Sequence, residues 1–259
     1  MPLLEVRKLT KHFGGLAAVS ALDMDVKEGE ILGLIGPNGA GKSTVLNLLG
    51  GTFQPSDGGV TYKGKDLIKL PPYKRARLGI ARVFQLDVLF SSFTVLENLL
   101  AGSHLHFNKS VTEIFFMHAT ARRREQSQYE KAMEALRFVR LERHADEPAI
   151  NLPHGQMRAL GLAIALATEP DLLLLDEPLT GMNAEETSTM MEMIKALREE
   201  KGITCIVVEH NMKAVIGLCD RVVVLDYGRK ITEGTPKEVV NKPEVIEAYL
   251  GAEQDFSSD

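Results

Sequence analysis

Gly36-Pro37-Asn38-Gly39-Ala40-Gly41-Lys42-Ser43 carries the most specific chemistry in this chain. The run fits G-x-x-x-x-G-K-[ST] and lies between a continuous apolar stretch, Ile31–Ile35, and a helical one, Ser43–Leu49. Its glycines let the backbone pass close to phosphate oxygens, so that amide N–H groups and a helix N-terminus face the anion. Lys42 adds a point charge for β- and γ-phosphates, and the Ser43 hydroxyl suits Mg2+. A second run, Leu172-Leu173-Leu174-Leu175-Asp176-Glu177, is an apolar strand ending in two carboxylates. Beside such a loop, Asp176 would stand near the metal and Glu177 would polarise a water molecule. That is the chemistry of nucleoside triphosphate hydrolysis.

Elements able to hold these residues follow from periodicity. Leu4–Arg7 and Ala18–Val26 alternate as strands with one buried face. Ile31–Ile35, Leu172–Leu175, Thr204–Val208 and Val222–Leu225 are short continuous apolar runs, as expected of strands covered on both faces. Helical segments at Leu160–Ala167, Glu185–Glu200 and Met212–Leu218 separate the later strands, which predicts right-handed crossovers and a mostly parallel sheet. Between Thr94 and Arg143 the two-residue period gives way to helical spacing, with Ala132, Ala135, Leu136 and Val139 on one face. This segment is expected to be a helical insertion between two halves of the core. Its apolar cluster, Val111, Ile114, Phe115, Phe116 and Met117, fits a lobe core better than a partner surface. His104, His106 and His118 lack Cys or carboxylate companions at ligand spacing and are expected to be surface residues.

On these motifs the chain resembles the nucleotide-binding domain of ABC (ATP-binding cassette) transporters over nearly its whole length. The fold this implies is α/β: a P-loop NTPase (RecA-like) core with an N-terminal antiparallel β subdomain and an inserted helical subdomain. One domain would span 1–252, with core 1–93 and 160–252, insertion at about 94–159, and a flexible tail at 253–259. The resemblance implies ATP and Mg2+ as ligands. Residues Gly36 through Ser43 and Thr44 would bind nucleotide, with Lys42 also catalytic, and Ser43, Gln85 and Asp176 would hold the metal. Phe13 stands where the family's adenine-stacking aromatic lies, Gln85 in Arg82-Val83-Phe84-Gln85 matches the glutamine loop, and His210 matches the switch histidine, catalytic alongside Glu177 and Gln85.

The family's L-S-G-G-Q signature reads Leu152-Pro153-His154-Gly155-Gln156 here. Gly155 and Gln156 would reach across a head-to-tail pair to the partner's γ-phosphate. Pro153 removes a hydroxyl and an N–H donor, which implies weaker closure on ATP. Asn183 stands where many relatives carry an aspartate that couples the two sites.

Phe13–Val19, the helical insertion around His104–Tyr129 and the ending Pro243–Gly251 are similar to ATP-binding subunits of branched-chain amino acid importers. Cassettes for urea or for lipid and lipopolysaccharide export share some of these features and remain alternatives. Expected partners are a second cassette (the same chain or a related one), integral membrane permeases docking near Leu86–Leu96, and a solute receptor met only indirectly. The expected place is the cytoplasmic face of the inner membrane. A net charge of −5 argues against a nucleic acid partner, and Met1–Lys8 lacks the apolar core of a secretory leader. No stretch approaches the roughly 20 apolar residues of a membrane helix. A non-transport ABC ATPase is the further alternative; such proteins usually carry two cassettes, a long coiled coil or a basic surface, features this sequence does not show. Cys205 and Cys219 fall in apolar surroundings and suit buried thiols.

Overall fold

The computed structural model describes residues 2–83, 89–103 and 118–255. Strands β1 (Leu4–Phe13), β2 (Leu16–Val26), β4 (Asp57–Tyr62) and β5 (Lys65–Asp66) form an antiparallel sheet in the order β2-β1-β4-β5. A second sheet runs β10-β9-β3-β8-β7-β6, from β3 (Ile31–Ile35), β6 (Ile80–Val83), β7 (Leu172–Asp176), β8 (Thr204–Val208), β9 (Arg221–Asp226) and β10 (Arg229–Gly234). Its pairs are parallel except the β9–β10 hairpin at one edge.

The continuous apolar strands are buried on both faces. Ile31 and Ile35 of β3 enter one core, with Leu173, Leu175, Cys205, Val207, Val222 and Val224. Leu32 and Leu34 enter the other, with Leu172, Leu174, Ile206, Val208, Val223 and Leu225. Each strand thus feeds two cores because successive side chains point to opposite faces. Helix α1 (Lys42–Gly50) and the antiparallel sheet close the second core. Helices α3 (Val95–Ser103), α4 (His118–Phe138), α5 (His154–Leu166), α6 (Ala184–Lys201) and α7 (Met212–Leu218) cover the first. The face of Ala132, Ala135, Leu136 and Val139 is buried, and both cysteines are free and buried, their thiols pushed up to about 12 by desolvation.

Some elements differ from the sequence expectation. Helix α5 begins at His154, six residues before the apolar periodicity does, and runs unbroken through the expected boundary at 159/160. Pro153 sits at the N-cap, where its missing N–H costs no helical bond, and the signature segment opens this helix. Strand β10 escaped notice because it is a half-exposed edge without clean alternation. Helix α9 (Pro243–Asp255), which follows the short α8 (Pro236–Val239), continues three residues into the expected tail. Short helix α2 (Pro72–Ala76) carries Arg75, 1% exposed, which donates to the carbonyls of Leu48, Leu49, Leu67 and Leu70. This guanidinium satisfies the last carbonyls of α1 in place of water.

Candidate functional site

The site lies where β3, β7 and β8 end side by side. The loop from Gly36 to Gly41 leaves β3 and enters α1. Gly36 has φ 148°, and a Cβ there would lie 2.1 Å from the Leu225 carbonyl oxygen, so only glycine fits this approach. Asn38, Gly39 and Ser43 are exposed, whereas Pro37, Ala40 and Lys42 are buried. Lys42 donates to the carbonyls of Gly36 and Pro37, both at 2.7 Å. Burial draws its ammonium below the usual lysine range, and the Glu177 and Asp176 carboxylates partly offset this. A desolvated ammonium held over its own loop, with α1 starting beneath, is a receptor for anionic oxygens.

Asp176 closes β7, and its Oδ2 accepts from the Arg82 guanidinium at 2.9 Å. Glu177 follows at φ 48°, a strained backbone for a non-glycine residue and worth about 1–3 kcal/mol. Its amide donates to Val208 O at 3.0 Å, which pins it to the end of β8. Its Oε2 accepts from the Thr180 hydroxyl at 3.2 Å, and its Oε1 lies 3.9 Å from His210 Nδ1. Lys42, the adjacent Asp176 and Glu177, and His210, from three separate stretches of sequence, therefore converge. Beside His210, Glu209 is only 2% exposed. It accepts the Leu179 N–H at 3.0 Å, and burial raises its carboxyl above the usual range.

Phe13 ends β1 at the β1–β2 turn and is 44% exposed. Its ring meets the edge of Phe53 at 5.3 Å, and Lys11 Nζ lies 5.0 Å from its centre. His154, Gly155 and Gln156 form the first turn of α5, and no side chain caps that turn. A Cβ on Gly155 would come 2.6 Å from Glu186, and one on Gly181 would come 3.0 Å from the His154 ring. The signature segment is thus packed on the stretch that leads from Glu177 into α6. Asn183 caps α6, accepting from Glu185 and Glu186 while Glu186 returns a bond to the Asn183 amide. Gln85 lies outside the described residues, as do His104, His106 and the cluster at 111–117. The side chain of His118 is likewise not described.

Sequence reasoning passed over Thr180 and Arg82. Thr180 had no spacing signal. Arg82 had none either: it stands beside this site through the parallel pairing that sets it opposite Leu174, two residues before Asp176. The residues present fit a triphosphate and a divalent cation. The Gly36 cradle leaves room for backbone alone, and the Ser43 hydroxyl and Asp176 carboxylate are hard oxygen donors of the kind magnesium takes.

The family described as ABC transporter matches residues 19–180, and that described as branched-chain amino acid ATP-binding cassette transporter matches 229–255. The chain is 41% identical over 250 residues to the high-affinity branched-chain amino acid transport ATP-binding protein BraF of Pseudomonas aeruginosa, covering 96% of this chain and 98% of that one. Its structure resembles the ADP conformation of an ATP-binding cassette of an ABC transporter, with a TM-score of 0.86 and 31% identity, covering 97% of this chain and 99% of that one. It also resembles a dimeric post-hydrolysis cassette bound to ADP and Pi, with a TM-score of 0.74 and 26% identity, covering 90% and 98% respectively.

Proposed function

Since this chain belongs to the ABC transporter family, we propose that its ATPase energises uptake of branched-chain or related amino acids through separate permease subunits. The observation that carries the ATPase reading is the meeting of Lys42, Asp176, Glu177 and His210 at the ends of adjacent strands. For the solute, support comes from the match of the C-terminal segment 229–255 and from the name of the similar chain.

Phe13 would stack on adenine, and residues Gly36 through Thr44 would wrap the phosphates. To reach them, Lys42 exchanges the carbonyls of Gly36 and Pro37 for phosphate oxygens, a swap its low hydration favours. Ser43, Asp176 and Gln85 would hold Mg2+, which when bound neutralises charge on the β- and γ-phosphates. Glu177 would orient the attacking water and take its proton, with His210 near the γ-phosphate. Its strained backbone, fixed by Val208, keeps that carboxylate on one trajectory.

A second cassette, this chain or a related one, would complete the site by presenting the first turn of its α5, with Gly155 and Gln156 toward the γ-phosphate. Closing excludes water, and hydrolysis removes the bridging phosphate and reopens the pair. A groove of about 430 Å³ between the core and the helical part is lined by Tyr73, Ile80, Leu89, Met157, Ile164 and Leu174. Phe90 and Phe93, stacked at 5.0 Å and exposed, follow Leu89 along the chain. This apolar groove, to which Leu89 of the expected Leu86–Leu96 region contributes, would receive a short permease helix; residues 86–88 of that region lie outside the described residues. Among the described residues no helix is long and apolar enough to cross a membrane, so the permeases would hold the cassette at the cytoplasmic face, and the solute receptor would act through them. One cassette over 1–252 with an insertion near 94–159 fits this reading, α5 being shared between insertion and core.

Mild solubilisation of membranes with the tagged chain should recover permeases and a related cassette. In vesicles, ATP turnover of that complex should rise when a leucine-loaded receptor is added. Recovery of ribosomes or DNA, or turnover indifferent to permeases, would refute the proposal.

A further inference from the structure

Arg82 binds residues on both sides of the metal position. Its side chain is 13% exposed and that of Asp176 15%, so the pair is largely shielded from water. One guanidinium nitrogen donates to Asp176 Oδ2 at 2.9 Å and another to Asn47 Oδ1 at 2.7 Å. Asn47 in turn donates to the Ser43 carbonyl at 2.8 Å. A single chain of bonds therefore runs from the backbone of Ser43, in the first turn of α1, to the carboxylate that ends β7. Arginine alone offers planar donors pointing both ways from a fixed fork, and it stays charged in a buried place. A carboxylate with one oxygen held this way keeps the other to address a metal ion or its water, in one rotamer.

We propose that Arg82 is a positioning residue of the metal centre, holding Asp176 and, through Asn47, the Ser43 end of α1 at a fixed separation. This rests on the ATPase reading above, in which Ser43 and Asp176 face the metal. The guanidinium also adds a positive charge near a cation, which by itself weakens metal binding. Orientation is the larger effect here, because partners that hold metal-side groups are worth 10–100-fold in metal affinity or activity.

The test uses the full chain with ADP and Mn2+ as the probe metal, free Mn2+ being read by electron paramagnetic resonance. Arg82→Met should weaken Mn2+ binding about tenfold, while ADP affinity in EDTA stays within about twofold of the parent. Arg82→Lys, which keeps the charge but cannot fork, should weaken it several-fold. Asn47→Ala should do so too, and these two variants decide the matter if Arg82→Met does not fold. Unchanged or tighter Mn2+ binding overturns the proposal, as does an equal loss of ADP affinity without metal, which would mark Arg82 as structural only. Failure of the underlying site reading looks different: Asp176→Asn and Ser43→Ala would then leave Mn2+ affinity intact.

Discussion

Replacing Phe13 by alanine should separate nucleotide affinity from stability, because the ring is only half engaged by its own protein. It is 44% exposed, touches Phe53 edge-on at 5.3 Å and lies under Lys11, whose ammonium is anchored by Gln54 O at 2.8 Å. An aromatic edge contact contributes about 0.5–1.5 kcal/mol and an exposed cation–π contact about 0.5–1 kcal/mol. Both sit at the surface, so truncation should cost about 1 kcal/mol, or roughly 2–4 °C of Tm for a chain of this size. Stacking a base on an aromatic face is worth about 1–3 kcal/mol, and 2 kcal/mol corresponds to a ~30-fold weaker Kd. Calorimetric titration with ATP should show that loss for Phe13→Ala and little change for Phe13→Tyr. Tripolyphosphate, which has no base, should bind both variants like the parent. Unaltered ATP affinity in Phe13→Ala, or an equal loss for tripolyphosphate, would refute the stacking assignment.

Three more outcomes follow from the same geometry. Glu177→Gln should bind ATP normally, lose about 10²–10⁴ in turnover and accumulate as an ATP-bound dimer on gel filtration; rapid hydrolysis would remove Glu177 from its role. Pro153→Ser should restore donors at the start of α5 and strengthen ATP-dependent dimerisation, each charge-assisted bond being worth about 1.5–3 kcal/mol; an unchanged dimer constant and turnover would count against it. Glu209 is buried with its carboxyl raised, so its contribution to stability is full in acid, below its unfolded value, and is lost as pH rises through the folded one. Glu209→Gln, which keeps an acceptor for the Leu179 amide, should therefore gain stability over the parent increasingly from mildly acid to neutral pH. Parallel denaturation midpoints across that range would contradict this.

The local pattern was enough to specify the phosphate loop and the strands that flank it. Ile31–Ile35, Leu172–Leu175 and Cys205–Val208 are apolar on both faces, as strands of a covered parallel sheet are, and Gly36 through Ser43 follow the first of them. Asp176 and Glu177 could be placed because one ends a strand and the other follows it, where a parallel sheet gathers its chemistry, whereas His210 was legible only through the family resemblance. Strand order decided the rest. Arg82 meets Asp176 across 94 residues only because β6 pairs with β7. Periodicity records which face of an element is buried, not which element becomes its neighbour. Ion pairs such as Arg82–Asp176, and close approaches such as Gly155 to Glu186, therefore came into being only when the sheet and its helices assembled.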